Sequence, residues 1–130
     1  MGDYDVYKKI TKEIKKDSEK MDLLSSLYNT SFPTSLRRDG IINDMQQVAL
    51  LPDYDLKEIE LPTLVIHAED DPIVPFALGE FTSQIISGAK FLRIKDGGHF
   101  CTVTHREVIV PRIRNLLGSV GNKHIHSRID

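Results

Sequence analysis

A chain of 130 residues with 40% hydrophobic and 28% charged residues has the make-up of a single folded domain, which excludes a disordered or fibrous polymer. Seventeen Lys and Arg against 19 Asp and Glu leave a net charge of −2, so neither a basic field for nucleic acid nor an acidic tail is present. The start, MGDYDVYKK, has no apolar segment of a signal peptide, no apolar run approaches the roughly 20 residues that span a bilayer, and the single cysteine, Cys101, has no internal disulfide partner; a soluble, cytoplasmic protein without a membrane segment is expected.

Residues 3–28 carry Tyr7, Ile10, Ile14, Met21, Leu24 and Tyr28 at helical spacing, with Lys and Glu between them. The stripe thins between Ile14 and Met21, which predicts a break near Asp17-Ser18. Pro33 disfavours a helical conformation at Phe32. Thr34 or Ser35 then caps a second helix that runs through Leu36, Ile41, Ile42, Met45, Val48 and Ala49 and tolerates Gly40 at a cost of about 1 kcal/mol. Leu51-Pro52-Asp53-Tyr54 ends it, and residues 55–59 make one short helical turn. The apolar residues of these helices either line a pocket or form exposed surface.

The pattern changes at Leu61. Thr63-Leu64-Val65-Ile66-His67 is a short apolar run without alternation, the signature of a strand covered on both faces, as in a parallel sheet. The turn Glu69-Asp70-Asp71-Pro72 follows. A helix starts near Pro75 or Phe76, carries Leu78, Phe81, Ile85 and Ile86, and closes at Ser87-Gly88. Lys90-Phe91-Leu92-Arg93-Ile94 alternates as a more exposed strand. Asp96-Gly97-Gly98 makes a tight loop into His99. A last helix runs from about Thr104 to Leu117, with Pro111 kinking it or shifting its start. The second half is thus a right-handed βαβ unit plus one helix, and its first strand is built for neighbours that these residues do not encode.

Two segments carry chemistry: His67-Ala68-Glu69-Asp70-Asp71-Pro72-Ile73-Val74-Pro75 after the first strand, and Asp96-Gly97-Gly98-His99-Phe100 after the second. Both stand at the carboxyl ends of parallel strands, where open α/β sheets place their sites. Together they resemble the α/β-hydrolase family, whose acid lies in a small-x-x-Asp-x-x-Val-Pro turn and whose histidine lies in a Gly-Gly-His-Phe-like loop. Ala68, Asp71, Val74 and Pro75 match the first pattern, with Ala68 where glycine is usual; Gly97, Gly98, His99 and Phe100 match the second. The resemblance covers about residues 55–118.

The resemblance implies an α/β fold: a truncated α/β-hydrolase with a helical cap-like segment (1–54), the C-terminal part of the hydrolase core (55–118) and a flexible tail (119–130). It implies that His99 is the general base and Asp71 the acid that holds its tautomer; Asp71 is preferred to the adjacent Asp70 because of its spacing to Val74-Pro75. The order acid then histidine matches the family's Ser…Asp…His order. The family's nucleophile elbow, G-x-S-x-G, is absent from these residues: Ser87-Gly88 and Gly118-Ser119-Val120-Gly121 have neither the spacing nor the place. The oxyanion-hole loop is absent too.

The expectation is therefore a C-terminal piece of an ester-type hydrolase, inactive alone because triad members act as a unit. It would act on a small-molecule substrate only when completed by a second protein chain, either another copy or the missing N-terminal half. The alternative is a self-associating or partner-binding module that completes its sheet with another chain. No cofactor and no metal are expected. Cys101 is read as a small buried apolar group rather than a nucleophile, His67 as a satisfied core histidine, His105 as a surface or cap residue, and Arg37-Arg38 as a solvated helix face with anion binding as the alternative. His124 and His126 form a His-x-His pair without third and fourth ligands.

Overall fold

The computed structural model, which describes residues 3–126, begins with two helices that meet where the apolar stripe thins. Helix α1 spans Asp3–Ile14 and α2 spans Ser18–Ser31. Asp17 caps α2: its backbone is extended and its carboxylate accepts from the Lys20 N–H at 3.2 Å. Val6, Ile10 and Ile14 fall on one side of α1 and are buried together with Val103; Met21, Leu23, Leu24 and Phe100 pack around them. Tyr7, expected in that stripe, instead meets the Phe100 ring edge-on at 6.4 Å.

Thr34–Arg37 forms a 3-10 turn rather than the start of the next helix, and α3 (Arg38–Ala49) begins four residues later than expected, with no side-chain cap. Pro33, with φ −73°, leads into the tighter turn, and Asp39 in the first turn of α3 places a negative charge at its positive end. No residue of α3 is buried; Ile41, Ile42, Met45 and Val48 are exposed. Of the two outcomes expected for the first helices, pocket lining or exposed surface, α3 takes the exposed one, whereas α1 takes neither and contributes core. A 3-10 turn at Leu56–Glu58, capped by Asp55, leads into the sheet.

Strands β1 (Leu64–Ala68) and β2 (Lys90–Ile94) pair in parallel, in register from Leu64 opposite Lys90 to Ala68 opposite Ile94, and α4 (Phe76–Ile85) joins them. The architecture is α/β, helices with two parallel strands in an open sheet, each strand followed by a helix. Phe76 stacks on Phe91 at 5.5 Å, the guanidinium of Arg93 lies 4.9 Å from the centre of the same Phe76 ring, and Gly79 lets α4 approach His67 so closely that a Cβ there would stand 2.6 Å from Nδ1. Of β1 only Ala68 is buried, so the expected cover on both faces is incomplete. Among the described residues the sheet has two strands, and β1 has a hydrogen-bonded neighbour on one edge alone.

A second buried cluster, Ala68, Ile94, Cys101 and Ile109, sits under the strand ends with Ile66 and Leu92 against it. The short helix α5 (Cys101–Thr104) joins the two clusters, since Cys101 faces the sheet and Val103 faces α1. Helix α6 runs from Arg106 through His126, past Gly118, the residue just before the expected tail. An isolated glycine costs a helix about 1 kcal/mol and does not by itself stop one. Residues 127–130 of that expected tail lie outside the described residues. No described helix is long and apolar enough to cross a membrane.

Candidate functional site

The site grows from the turn that follows β1. The Asp71 N–H donates to the Ala68 carbonyl at 3.3 Å, closing the turn. Asp71 Oδ1 then accepts from the backbone N–H groups of Ile73 (2.8 Å) and Val74 (3.1 Å), which anchors the carboxylate to its own loop and explains why Asp-x-x-Val-Pro is a local structural unit. The second oxygen, Oδ2, faces the loop after β2, where His99 Nδ1 lies 3.0 Å away. Because a carboxylate only accepts, Nδ1 carries the proton of this contact, which leaves the lone pair of a neutral ring on Nε2. Asp71 is 6% exposed and His99 is 48% exposed: a buried acid orients a half-open imidazole.

The structure brings the two sequence-predicted residues together across adjacent strand ends. Their neighbours have distinct tasks. His67 Nε2 donates to the Val74 carbonyl at 3.0 Å and stands 3.8 Å from Asp71 Oδ2, so it steadies the acid turn from below. Cys101 is buried, and burial first, then the Asp71 charge, pushes its thiol above the ordinary value; its place in the second cluster is that of an apolar group. His105 is no simple surface residue: Nδ1 is 2.9 Å from the Thr104 hydroxyl and Nε2 is 3.3 Å from Asp96 Oδ1. Asp96 also receives Lys9 from α1, whose hydrogen bond holds its carboxyl below the ordinary value against the opposing effect of burial.

The histidine loop is unusual in its backbone. Gly97 has φ 110° and Gly98 φ 52°, conformations suited to glycine. Their consecutive N–H groups both donate to one side chain, Asp70: Gly98 to Oδ1 at 2.8 Å and Gly97 to Oδ2 at 3.3 Å. Sequence reasoning weighed Asp70 only as a competitor for the acid, placed Asp96 in the histidine loop without a partner, and missed Lys9. Two adjacent carboxylates in a tight turn were the available signal, since neighbouring side chains there diverge and cannot serve one partner. Beside Phe100 an apolar groove of about 240 Å³ opens between Leu24, Leu27, Tyr28 and Phe32. Among the described residues no group of three or more His, Cys, Asp or Glu has the arrangement of a metal site.

Burial pushes the Asp71 carboxyl up, but the hydrogen bonds from Ile73, Val74 and His99 together outweigh it and hold the group below its ordinary 3.8. A depressed folded value means stability that is present above 3.8 and lost as pH falls through the lowered value. Denaturant midpoints measured from about pH 5 down to about pH 2 should therefore fall, and Asp71→Asn should flatten that fall. Part of the slope should remain, because Asp96 is depressed as well.

No family model matches the chain. It is 34% identical over 84 residues to the lysophosphatidylserine lipase ABHD12 of Macaca fascicularis, a stretch covering 57% of the chain and 21% of that protein. It is 34% identical over 55 residues to the bifunctional esterase/perhydrolase DCH of Acinetobacter calcoaceticus (42% and 20%), and 46% identical over 44 residues to the non-heme chloroperoxidase CPO-A1 of Kitasatospora aureofaciens (33% and 16%). These three relatives are α/β-hydrolases, and the chain is similar to that family over the stretches aligned. It spans about a fifth or less of the length of each of them.

Proposed function

We propose that the chain supplies the acid–base pair of a hydrolase that cleaves an ester or related bond through a Ser-His-Asp triad. The observation that carries this reading is the 3.0 Å contact between Asp71 Oδ2 and His99 Nδ1 at the ends of two parallel strands. His99 Nε2 would take the proton of a nucleophile and return it to the leaving group, while Asp71 holds the Nδ1–H tautomer and stabilises the imidazolium. Residues 1–54 would act as a cap-like segment over the core at 55–118, as the packing of α1 against the histidine loop supports. The nucleophile is not among these residues, since no G-x-S-x-G occurs in them. The 130-residue chain alone is therefore expected to be inactive. Assay of the purified chain on aryl esters should give no turnover above the Asp71→Asn, His99→Ala double variant; turnover that His99→Ala abolishes would overturn the dependence on an outside nucleophile.

A second reading is favoured by one observation: among the described residues β1 is hydrogen-bonded on one edge, and four of its five residues are incompletely buried. An open edge is a template for strand addition, so the chain would complete its sheet with a second copy or another chain. Light scattering tests pairing with a second copy, because a stable monomer with cooperative unfolding counts against self-association.

A further inference from the structure

Asp70 and Asp71 are consecutive, yet each grips the histidine loop at a different point. Asp71 takes the ring of His99; Asp70 takes the backbone immediately before it, accepting from Gly98 at 2.8 Å and Gly97 at 3.3 Å. Here the backbone at Gly97 and Gly98, both with positive φ, turns their successive N–H groups toward one carboxylate. The carboxylate thus fills a concave pair of donors that would otherwise be left without a partner at the start of the 3-10 turn Gly98–Phe100. This bond spans 28 residues and joins the end of β1 to the end of β2. The loop has other attachments. Lys9 holds Asp96, and Ile10 and Val6 lie against Gly98 so closely that a Cβ there would stand 3.0 Å and 3.3 Å from their methyl carbons. Those contacts hold the loop on α1. Among the described residues, the hydrogen bonds that tie its backbone to the loop that carries the acid both go to Asp70, while Pro72 of that loop only packs near Gly98, where a Cβ would stand 3.6 Å from its Cδ.

We propose that Asp70 is a positioning residue for the Asp71–His99 pair: it fixes the Gly97-Gly98 backbone so that His99 Nδ1 stays within hydrogen-bond reach of Asp71. The proposal rests on the reading of Asp71 and His99 as an acid–base pair. Asp70 touches neither ring nor substrate and acts through the loop. One dipeptide therefore sets both the position of the histidine and its tautomer, and a single carboxylate at either place would leave one of the two free.

The test is nitrogen NMR of the full 130-residue chain at about pH 8.5, where an ordinary imidazole is neutral. In the wild type, His99 should show a single Nδ1–H tautomer, and Asp71→Asn should convert it to a mixture. Asp70→Ala should keep the overall amide spectrum and cooperative unfolding, yet also convert His99 to a mixture, with amide exchange at Gly97 and Gly98 faster by about tenfold. Asp70→Asn, which keeps one acceptor oxygen, should fall between. If Asp70→Ala speeds those amides but leaves the His99 tautomer as in the wild type, Asp70 is a structural fastener and the positioning role is overturned. If Asp71→Asn itself leaves His99 unchanged, the pair is not coupled, and both readings fall together. Should Asp70→Ala not fold, Asp70→Asn is judged by the same two readouts: a wild-type tautomer in it overturns the proposal.

Discussion

Replacing Gly97 by alanine should cost about 3 kcal/mol of stability or more and dismantle the histidine loop. Two effects add. At φ 110° and ψ −4° an L side chain is strained whatever space surrounds it, at about 1–3 kcal/mol. The space is also taken: the new Cβ would overlap the Thr104 hydroxyl and stand 3.1 Å from the Cα of Cys101 and from His105 Nδ1. Thr104 is fully buried and Cys101 Cα is backbone, so neither can step aside. Gly98→Ala is the internal comparison. Its φ of 52° is the left-handed region that other residues reach at about 1–2 kcal/mol, and its closest neighbour is the end of the Ile10 side chain. Urea denaturation of both variants should rank Gly97→Ala as clearly the more damaging; equal losses would show that the Thr104 contact carries no weight.

The second large effect is expected at Ile109, which is 2% exposed and packs with Ala68, Ile94 and Cys101 under the carboxyl ends of both strands. Truncation to alanine removes three carbons from a site that cannot collapse without moving the strand ends, and about 3 kcal/mol of destabilisation is expected. Ile113, four residues on along α6, is 39% exposed, and Ile113→Ala should cost less than about 1 kcal/mol. The same urea titration measures both. A loss at Ile113 as large as that at Ile109 would mean that the exposed side of α6 is covered in solution, which would favour the sheet-completing association over a monomer.

Most of the chain's order was legible from residue spacing. The break at Asp17, the extents of α4 and β2, and the loop into His99 follow from caps, glycines and the change of period, all of which act within a few residues. The strand β1 was placed within one residue. The start of α3 and the length of α6 were not, because a serine or threonine after a proline can begin either kind of helix, and because the cost of an isolated glycine is too small to end a helix that other residues continue. Burial was legible only in part. Ile10 and Ile14 stood out by spacing, whereas Val6 joined them only once α5 had placed Val103 opposite. Ile41, Ile42, Met45 and Val48 of α3 are apolar like Val6, Ile10 and Ile14 of α1 and meet the opposite fate, which depends on whether another element lies against them.

The site divides along the same line. Asp71 and His99 were recognisable from motifs because the acid turn is closed by its own backbone, through Ile73 and Val74, and the histidine loop by its own glycines; each is a local device written in consecutive residues. What connects them is not local. The parallel pairing of β1 with β2 brings two loops 28 residues apart to within 3.0 Å, and only then do Asp70 and Asp71 acquire separate partners and Lys9 and His105 a common one, Asp96. Short-range hydrogen bonds and turn geometry are properties of a few neighbouring residues, so sequence alone determined them. Which carboxylate meets which donor depends on distances set by packing, and the tertiary structure alone decided it.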